Sequence, residues 1–400
     1  MHLHLPPLLV VLAIAVAAPL IAEATRRIGL AVVVLELLLG VAIGPQGLAW
    51  AAPEGAVPFL ATFGMAFLFF LAGLEIDVDT VRGQPLQRAL AGWAGILALA
   101  CLAAYGLQRA GYVHAWPVVA VALSTTALGI LMPILKDAGT LETPFGRHAL
   151  AVGVVGEVLP ILCMSVVLSR ASEAHVQTAF TVAFLAVVLA IGWLLVRGAE
   201  VPGVLRFLRR TMTQSSQLPV RMSVLLVGVL VVLAELLGLD LALGALAAGM
   251  TIALATRGED AHLLHHKLEA IGFGFLVPVF FVTSGMKLDV AAMTGSAQGL
   301  ALVGLFLAAL LAVRLPLVLT HRGLLPPREH AALGLYSATT LSLVVALAEI
   351  GTAKGLLAPS EAAPLVGGAM LSVILFPMVA RLAGRTARPV RAYLYDKGGL

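Results

Sequence analysis

The chain has 400 residues, 60% of them hydrophobic and only 12% charged, with a formal net charge of +4. Its apolar residues lie in runs of roughly 17 to 24, the length that crosses about 30 Å of hydrocarbon. That composition excludes a soluble catalytic domain, and the absence of basic patches interleaved with aromatics argues against a nucleic-acid partner.

The expected fold class is an all-α polytopic membrane protein of about thirteen transmembrane helices, built as inverted repeats with crossing discontinuous helices. The expected spans are 5–23, 29–45, 57–75, 89–108, 115–134, 147–169, 177–196, 220–238, 240–256, 267–285, 297–320, 329–351 and 363–384. The first run lacks a basic leader and a small-residue cleavage site, so it reads as a retained helix. Cys101 and Cys163 fall inside apolar runs with no motif around them and read as packing residues. Of the lysines and arginines outside the spans, only Arg109, Arg170, Lys287 and Lys354 fall on one side of this topology. The crowded side is the cytoplasmic one, which puts the N-terminus outside and the C-terminus inside.

Residues 197–221, rich in arginine, form the longest loop and read as a cytoplasmic linker between two repeats. The tail beyond Arg385 is expected to be too short for a soluble regulatory domain. The fifth span holds Ser124-Thr125-Thr126 near its middle, and the twelfth holds Ser337-Ala338-Thr339-Thr340. Hydroxyls there can replace helical hydrogen bonds where a helix unwinds, and the two spans run in opposite directions. Taken singly, each cluster could simply back-bond to the preceding turn. As a pair they point to two broken helices that cross.

Glu157 sits in the middle of the sixth span, where a carboxylate costs about 2.5 to 3.5 kcal/mol and is kept for an ion path, a proton relay or a partner. It is the first functional candidate. Glu36 and Glu235 are deeper acids with structural or second-ion roles, whereas Glu75 and Glu349 read as acids near a membrane surface. Arg314 is the only base within a span, and its charge needs a carboxylate or helix carbonyls as partner. Gly274 and Pro278 are expected to kink the tenth span. His262, His265 and His266 read as part of a solvated inner loop without metal-ligand spacing.

Several stretches carry a family resemblance: Leu35-Glu36-Leu37-Leu38-Leu39-Gly40-Val41-Ala42-Ile43-Gly44-Pro45, Phe70-Leu71-Ala72-Gly73-Leu74-Glu75-Ile76-Asp77, Ser124-Thr125-Thr126-Ala127-Leu128, Leu243-Gly244-Ala245-Leu246-Ala247-Ala248-Gly249, and Pro278-Val279-Phe280-Phe281-Val282-Thr283-Ser284-Gly285-Met286-Lys287-Leu288-Asp289. In this order they resemble the monovalent cation:proton antiporters, in the branch of Kef-type potassium efflux systems and NapA-like sodium/proton antiporters. The resemblance implies a homodimer in membrane lipid, with no cofactor beyond the transported Na+ or K+ and H+. It implies a moving core, here 89–169 and 297–384, and a dimerisation part made of the remaining helices.

That family carries two adjacent polar residues on its ion-binding helix, and the pair aligned here is Gly156-Glu157. By resemblance Glu157 holds Na+ or K+, with Thr126, Ser124 and position 156 around it. Arg314 is then the charge partner, and Thr125, Ser337, Thr339 and Thr340 mark the broken-helix crossing. The expected activity is Na+ (or K+) for H+ exchange by alternating access, without enzymatic chemistry, in a bacterial inner membrane. Potassium efflux and a non-transporting sensor that kept the fold are the alternatives.

Overall fold

A computed structural model describes residues 7–24, 31–75, 83–128, 131, 135, 140–141, 143–167, 174–199, 207, 210–212, 214–256 and 259–384. Asp77, Asp79, Arg170, part of the expected linker and the tail beyond Gly384 lie outside them. The described residues are almost wholly helical. In chain order the helices are α1 (Pro7–Ala24), α2 (Val32–Ile43), α3 (Val57–Leu74), α4 (Gln84–Arg109), α5 (Trp116–Ser124), α6 (Pro144–Val167), α7 (Ala174–Ala199) and α8 (Leu218–Leu236). They continue as α9 (Leu241–Ala255), α10 (Glu259–Ile271), α11 (Val277–Lys287), α12 (Ala297–Ala312), α13 (Leu315–Thr320), α14 (Pro327–Ala338), α15 (Ser342–Ala353) and α16 (Pro359–Gly384). Nine helical stretches among the described residues are long and apolar enough to cross a membrane.

Prolines open many of these helices: Pro58, Pro85, Pro117, Pro219, Pro316 and Pro327 all lie in a first turn. The missing N–H is no loss there, because the first turn has no carbonyl to bond. Between α10 and α11 the chain does not stop but passes through a π-helical turn at Gly272–Leu276, just before Pro278. The wider turn is how the helix absorbs the proline expected to kink it. The histidines at 262, 265 and 266 therefore stand on α10 rather than in a loop, with His266 3.3 Å from Glu269.

The helices pack in two groups. One joins α1, α2, α3, α7, α8, α9, α10 and α11, with α3 against α9 and α2 against α11 as its closest pairs. The other joins α4, α5, α6, α12, α13, α14, α15 and α16. In the first group glycines let main chains touch: a Cβ at Gly40 would overlap the main chain at Val282, at Gly285 that at Leu37, at Gly64 that at Leu276, at Gly73 that at Leu246, and at Gly249 that at Phe70. Such close approach replaces the hydrophobic drive that lipid does not supply between helices. Large apolar side chains of α1, α4, α7 and α8, such as Val16, Leu102, Leu189 and Leu225, remain exposed on the outside of the bundle, as lipid contact requires.

The two groups are also bridged. Glu349 on α15 accepts a hydrogen bond from Ser284 Oγ at 2.9 Å and pairs with Lys287, both on α11. A cavity of about 310 Å³ opens beside the bridge, bounded by Leu37, Asp289, Glu349 and Ala362. Glu349 is thus tied across the two groups rather than free at a surface.

Candidate ion-binding site

Both hydroxyl clusters mark helix breaks. α5 ends at Ser124, after which Thr125 is extended (φ −75°, ψ 148°), and α14 ends at Ala338, after which Thr339 is extended (φ −72°, ψ 118°). Local side-chain bonds explain why the helices stop. Ser124 Oγ donates to the Val121 carbonyl and Thr125 Oγ1 to that of Ala122, while Ser337 Oγ and Thr339 Oγ1 bond the carbonyls of Gly334 and Leu335. Hydroxyls that bond the preceding turn compete with the helix for those carbonyls.

The two extended segments meet. The Ala127 N–H donates to the Thr339 carbonyl at 3.0 Å, and the hydroxyls of Thr125 and Thr340 lie 2.7 Å apart. Thr126 Oγ1 donates to the Ser337 carbonyl at 2.8 Å. Ser372 on α16 closes the second break from outside, accepting the Thr340 N–H and donating to the Thr340 carbonyl. Nothing in the sequence singled out Ser372, because one serine in an apolar span reads as a packing residue.

Glu157 and Arg314 take opposite ends of this crossing. Glu157 Oε2 accepts the Leu128 N–H at 3.0 Å, in the first turn after the break, where unbonded N–H groups concentrate positive charge. Arg314, almost fully buried between α12 and α13, donates Nε to the Ser337 carbonyl and its two other nitrogens to the carbonyls of Leu123 and Thr125, at 3.0, 3.1 and 2.5 Å. These are carbonyls that the ends of α14 and α5 leave without helical partners. The guanidinium therefore sits where two half-helix dipoles are negative and the carboxylate where one is positive. Of the two partners expected for Arg314, a carboxylate or helix carbonyls, the hydrogen bonds of its Nε, Nη1 and Nη2 go to carbonyls, and among the described residues it forms no ion pair with Glu157.

Gly156, in the middle of α6, is where that helix touches the break. Its carbonyl accepts the Thr126 N–H at 2.8 Å, and a Cβ there would stand 2.5 Å from Thr126 Oγ1 and 2.7 Å from Thr126 Cβ. Thr126 thus fills the space that a side chain at 156 would need. Gly156→Ala is expected to cost about 1–3 kcal/mol, the range for overpacking a close contact, since Thr126 is pinned by bonds at both its N–H and its hydroxyl. Thermal unfolding in detergent checks this, with Gly156→Ala/Thr126→Gly expected to recover most of the loss.

Of the other acids, Glu75 caps the end of α3, half-buried, and is within electrostatic range of both Glu157 and Glu269. Its place at the end of a span suggested a solvated acid; the structure puts it beside the site. A carboxylate at a helix C-terminus, where the dipole is unfavourable, was the available signal. Glu36 is buried in α2, in the other group of helices, and Glu235 is exposed in the last turn of α8. Neither joins the crossing. Among the described residues no group of three or more His, Cys, Asp or Glu could hold a metal ion.

The sodium/hydrogen exchanger transmembrane family model matches residues 12–381. The chain belongs to this family. It is similar to a putative Na+/H+ antiporter of Bacillus subtilis (28% identity, covering 94% of this chain and 62% of that one) and to a Na+/H+ antiporter of Enterococcus hirae (26% identity, 92% and 95%). It is also 30% identical to the glutathione-regulated potassium-efflux protein KefC of Escherichia coli, over 68% of this chain and 44% of that one. The solved sodium proton antiporter MjNhaP1 of Methanocaldococcus jannaschii shares the fold, with a TM-score of 0.67 over 97% of each chain at 15% identity. This exchanger-family chain is an integral membrane protein, and its crossing of broken helices lies inside the matched region.

Proposed function

We propose that the chain is a secondary active antiporter that exchanges Na+ (or K+) for H+ by alternating access, with Glu157 as the carboxylate that both ions share. The observation that carries this is the placement of Glu157 at the positive end of a broken half-helix, where it accepts one backbone N–H and keeps its other oxygen for a ligand. Thr126, bonded through its N–H to the Gly156 carbonyl, brings a hydroxyl beside the neighbouring position, the oxygen type that a hard monovalent cation takes. Ser124 turns its hydroxyl to its own helix but retains acceptor capacity. Glu75 supplies a second negative charge that raises the attraction for cations approaching along α3 and α10.

The likeness to a sodium antiporter of full comparable length favours Na+ as the cation, and the likeness to KefC keeps K+ as the second reading. A homodimer in lipid, with 89–169 and 297–384 moving against the remaining helices, suits two helix groups joined by few polar contacts. The arginine bias of the loops supports an N-out, C-in orientation in a bacterial inner membrane. Proteoliposomes with a pH-sensitive dye and added NaCl, KCl or LiCl test the reading: cation-dependent proton flux supports it, and silence with all three leaves a sensor that kept the fold.

Charge balance gives a further expected result. Arg314 holds carbonyls and stays protonated, so the titrating charge at the crossing is that of Glu157. One cation is then exchanged for one proton, and a potential set with valinomycin should leave the rate unchanged. A marked dependence on that potential would mean that Glu75 carries a second proton.

A further inference from the structure

The half-helix α15 leaves the crossing after Leu341 and carries an acid and a base toward its other end. Glu349 stands eight residues beyond Leu341, about 12 Å at 1.5 Å per residue, and Lys354 caps the helix. Each reaches across to the other group of helices. Glu349 pairs through Oε1 with Lys287 and accepts at Oε2 from Ser284, both on α11, while Lys354 lies 3.8 Å from Asp240 at the start of α9. The loop charges place this end of the bundle outside.

The two acids so paired differ in what they could bind. Asp240 is buried, accepts the Ala242 N–H at 3.1 Å and caps α9, so one of its oxygens is committed to the helix. Glu349 instead faces the cavity of about 310 Å³. At about 30 Å³ for each water, that space takes a small cation together with several of its waters. Val345, Glu349 and Thr352 wall it along one face of α15, so it runs down the helix toward the crossing, where Val345 is one turn from Leu341. Its polar side chains are the oxygen-bearing Ser284, Asp289, Glu349 and Thr352, and the ammonium of Lys287. Ser284 gives its proton to Glu349, and Thr352 gives its own to the Ala348 carbonyl at 2.7 Å, which leaves hydroxyl lone pairs for a cation.

Lys287 shows what this carboxylate takes. Its ammonium is a compact, strongly hydrated single positive charge on a flexible stem, the side-chain group nearest in kind to an inorganic monovalent cation. It is held loosely: the side chains of Lys287 and Glu349 are 41% and 24% exposed, and ion pairs so open to water contribute little and exchange readily. A cation that reaches Glu349 repels the ammonium already there.

We propose that Glu349, with Ser284 and Thr352, is an outer docking site for a monovalent cation, where the cation replaces the Lys287 ammonium and thereby unfastens α15 from α11. Arrival of the cation is then what loosens the bridge between the two groups of helices. α15 passes the release to the crossing, because its first turn follows the break at Thr339.

The transport arm of the test rests on the antiporter reading and on the orientation given by the loop charges; a labelling arm rests on neither. Ala353→Cys in the full chain puts a thiol at the exposed rim of the cavity, and its modification is followed on the peptide that contains it. In detergent, a cationic methanethiosulfonate reagent is expected to react there about tenfold faster than an anionic one of similar size. NaCl or KCl should slow the cationic reagent relative to N-methyl-D-glucamine chloride at equal ionic strength. Glu349→Gln in the same background should remove both differences. Equal rates for the two reagents, or no protection by Na+ and K+, overturn the proposal whether or not the protein transports. In proteoliposomes, Lys287→Gln should lower the KM for Na+ on the outer side about threefold or more, with the inner KM unchanged. Glu349→Gln should raise the outer KM. An outer KM that Lys287→Gln leaves unaltered, in protein that exchanges Na+ for H+, overturns the proposal as well.

Discussion

Glu157→Gln is expected to abolish cation-dependent proton flux, to the level of liposomes without protein, while leaving the folded protein intact. The amide keeps the size of the side chain, and its oxygen can still accept the Leu128 N–H, so the crossing loses no contact. What it loses is the charge for which proton and cation compete. Glu157→Asp tests the same point by distance. One methylene shorter, it retreats from the Leu128 N–H, and cation affinity should fall roughly tenfold, or about 1.4 kcal/mol, with exchange retained. Near-normal flux in well-folded Glu157→Gln would move the shared carboxylate elsewhere, and Glu75, which acts electrostatically on Glu157, is the next residue to replace.

The second large effect concerns the fold of the site rather than its chemistry. Arg314→Ala removes the donor from the buried carbonyls of Leu123 and Thr125, in a region closed to water, while that of Ser337 keeps the Thr126 hydroxyl. Each such group left unsatisfied costs about 1–3 kcal/mol. A loss of about 3 kcal/mol or more, read as a lower unfolding temperature in detergent, should accompany loss of exchange. Arg314→Lys is the informative control, since it keeps the charge but not the planar fork that reaches two helices at once. It should recover part of the stability. If Arg314→Ala unfolds at the wild-type temperature and only shifts the pH profile, the residue acts on Glu157 through space and not on the crossing.

What could be read from the sequence follows from what burial makes expensive. A carboxylate in mid-span and paired hydroxyl clusters are visible because their residue types are costly or disruptive there, and both the break positions and Glu157 could be named in advance. Which of its two expected partners Arg314 takes could not. Main-chain carbonyls have no signature in a sequence, so a guanidinium that caps helix ends looks the same as one paired with an acid. Depth along a span also says nothing about which face a side chain takes: Glu235, read as one of the deeper acids, is exposed. Glu75 failed for the converse reason: its position at a span's end hid the fact that α10 and α6 converge on it.

The glycines of α2, α3, α9 and α11 bear on how such a protein could move. Where a main chain rests directly on another, there are no side-chain rotamers to rearrange, and sliding by even part of a turn would drive a Cβ of the next residue into the neighbouring backbone. Gly40, Gly64, Gly73, Gly249 and Gly285 interlock their helices in this way at separate heights, so this half of the molecule has one register and no nearby second one. Such a half is expected to stay rigid. Displacement during a transport cycle is then expected on the surface between the halves, where Ser284 and Lys287 grip Glu349. That grip has to be released for every such displacement.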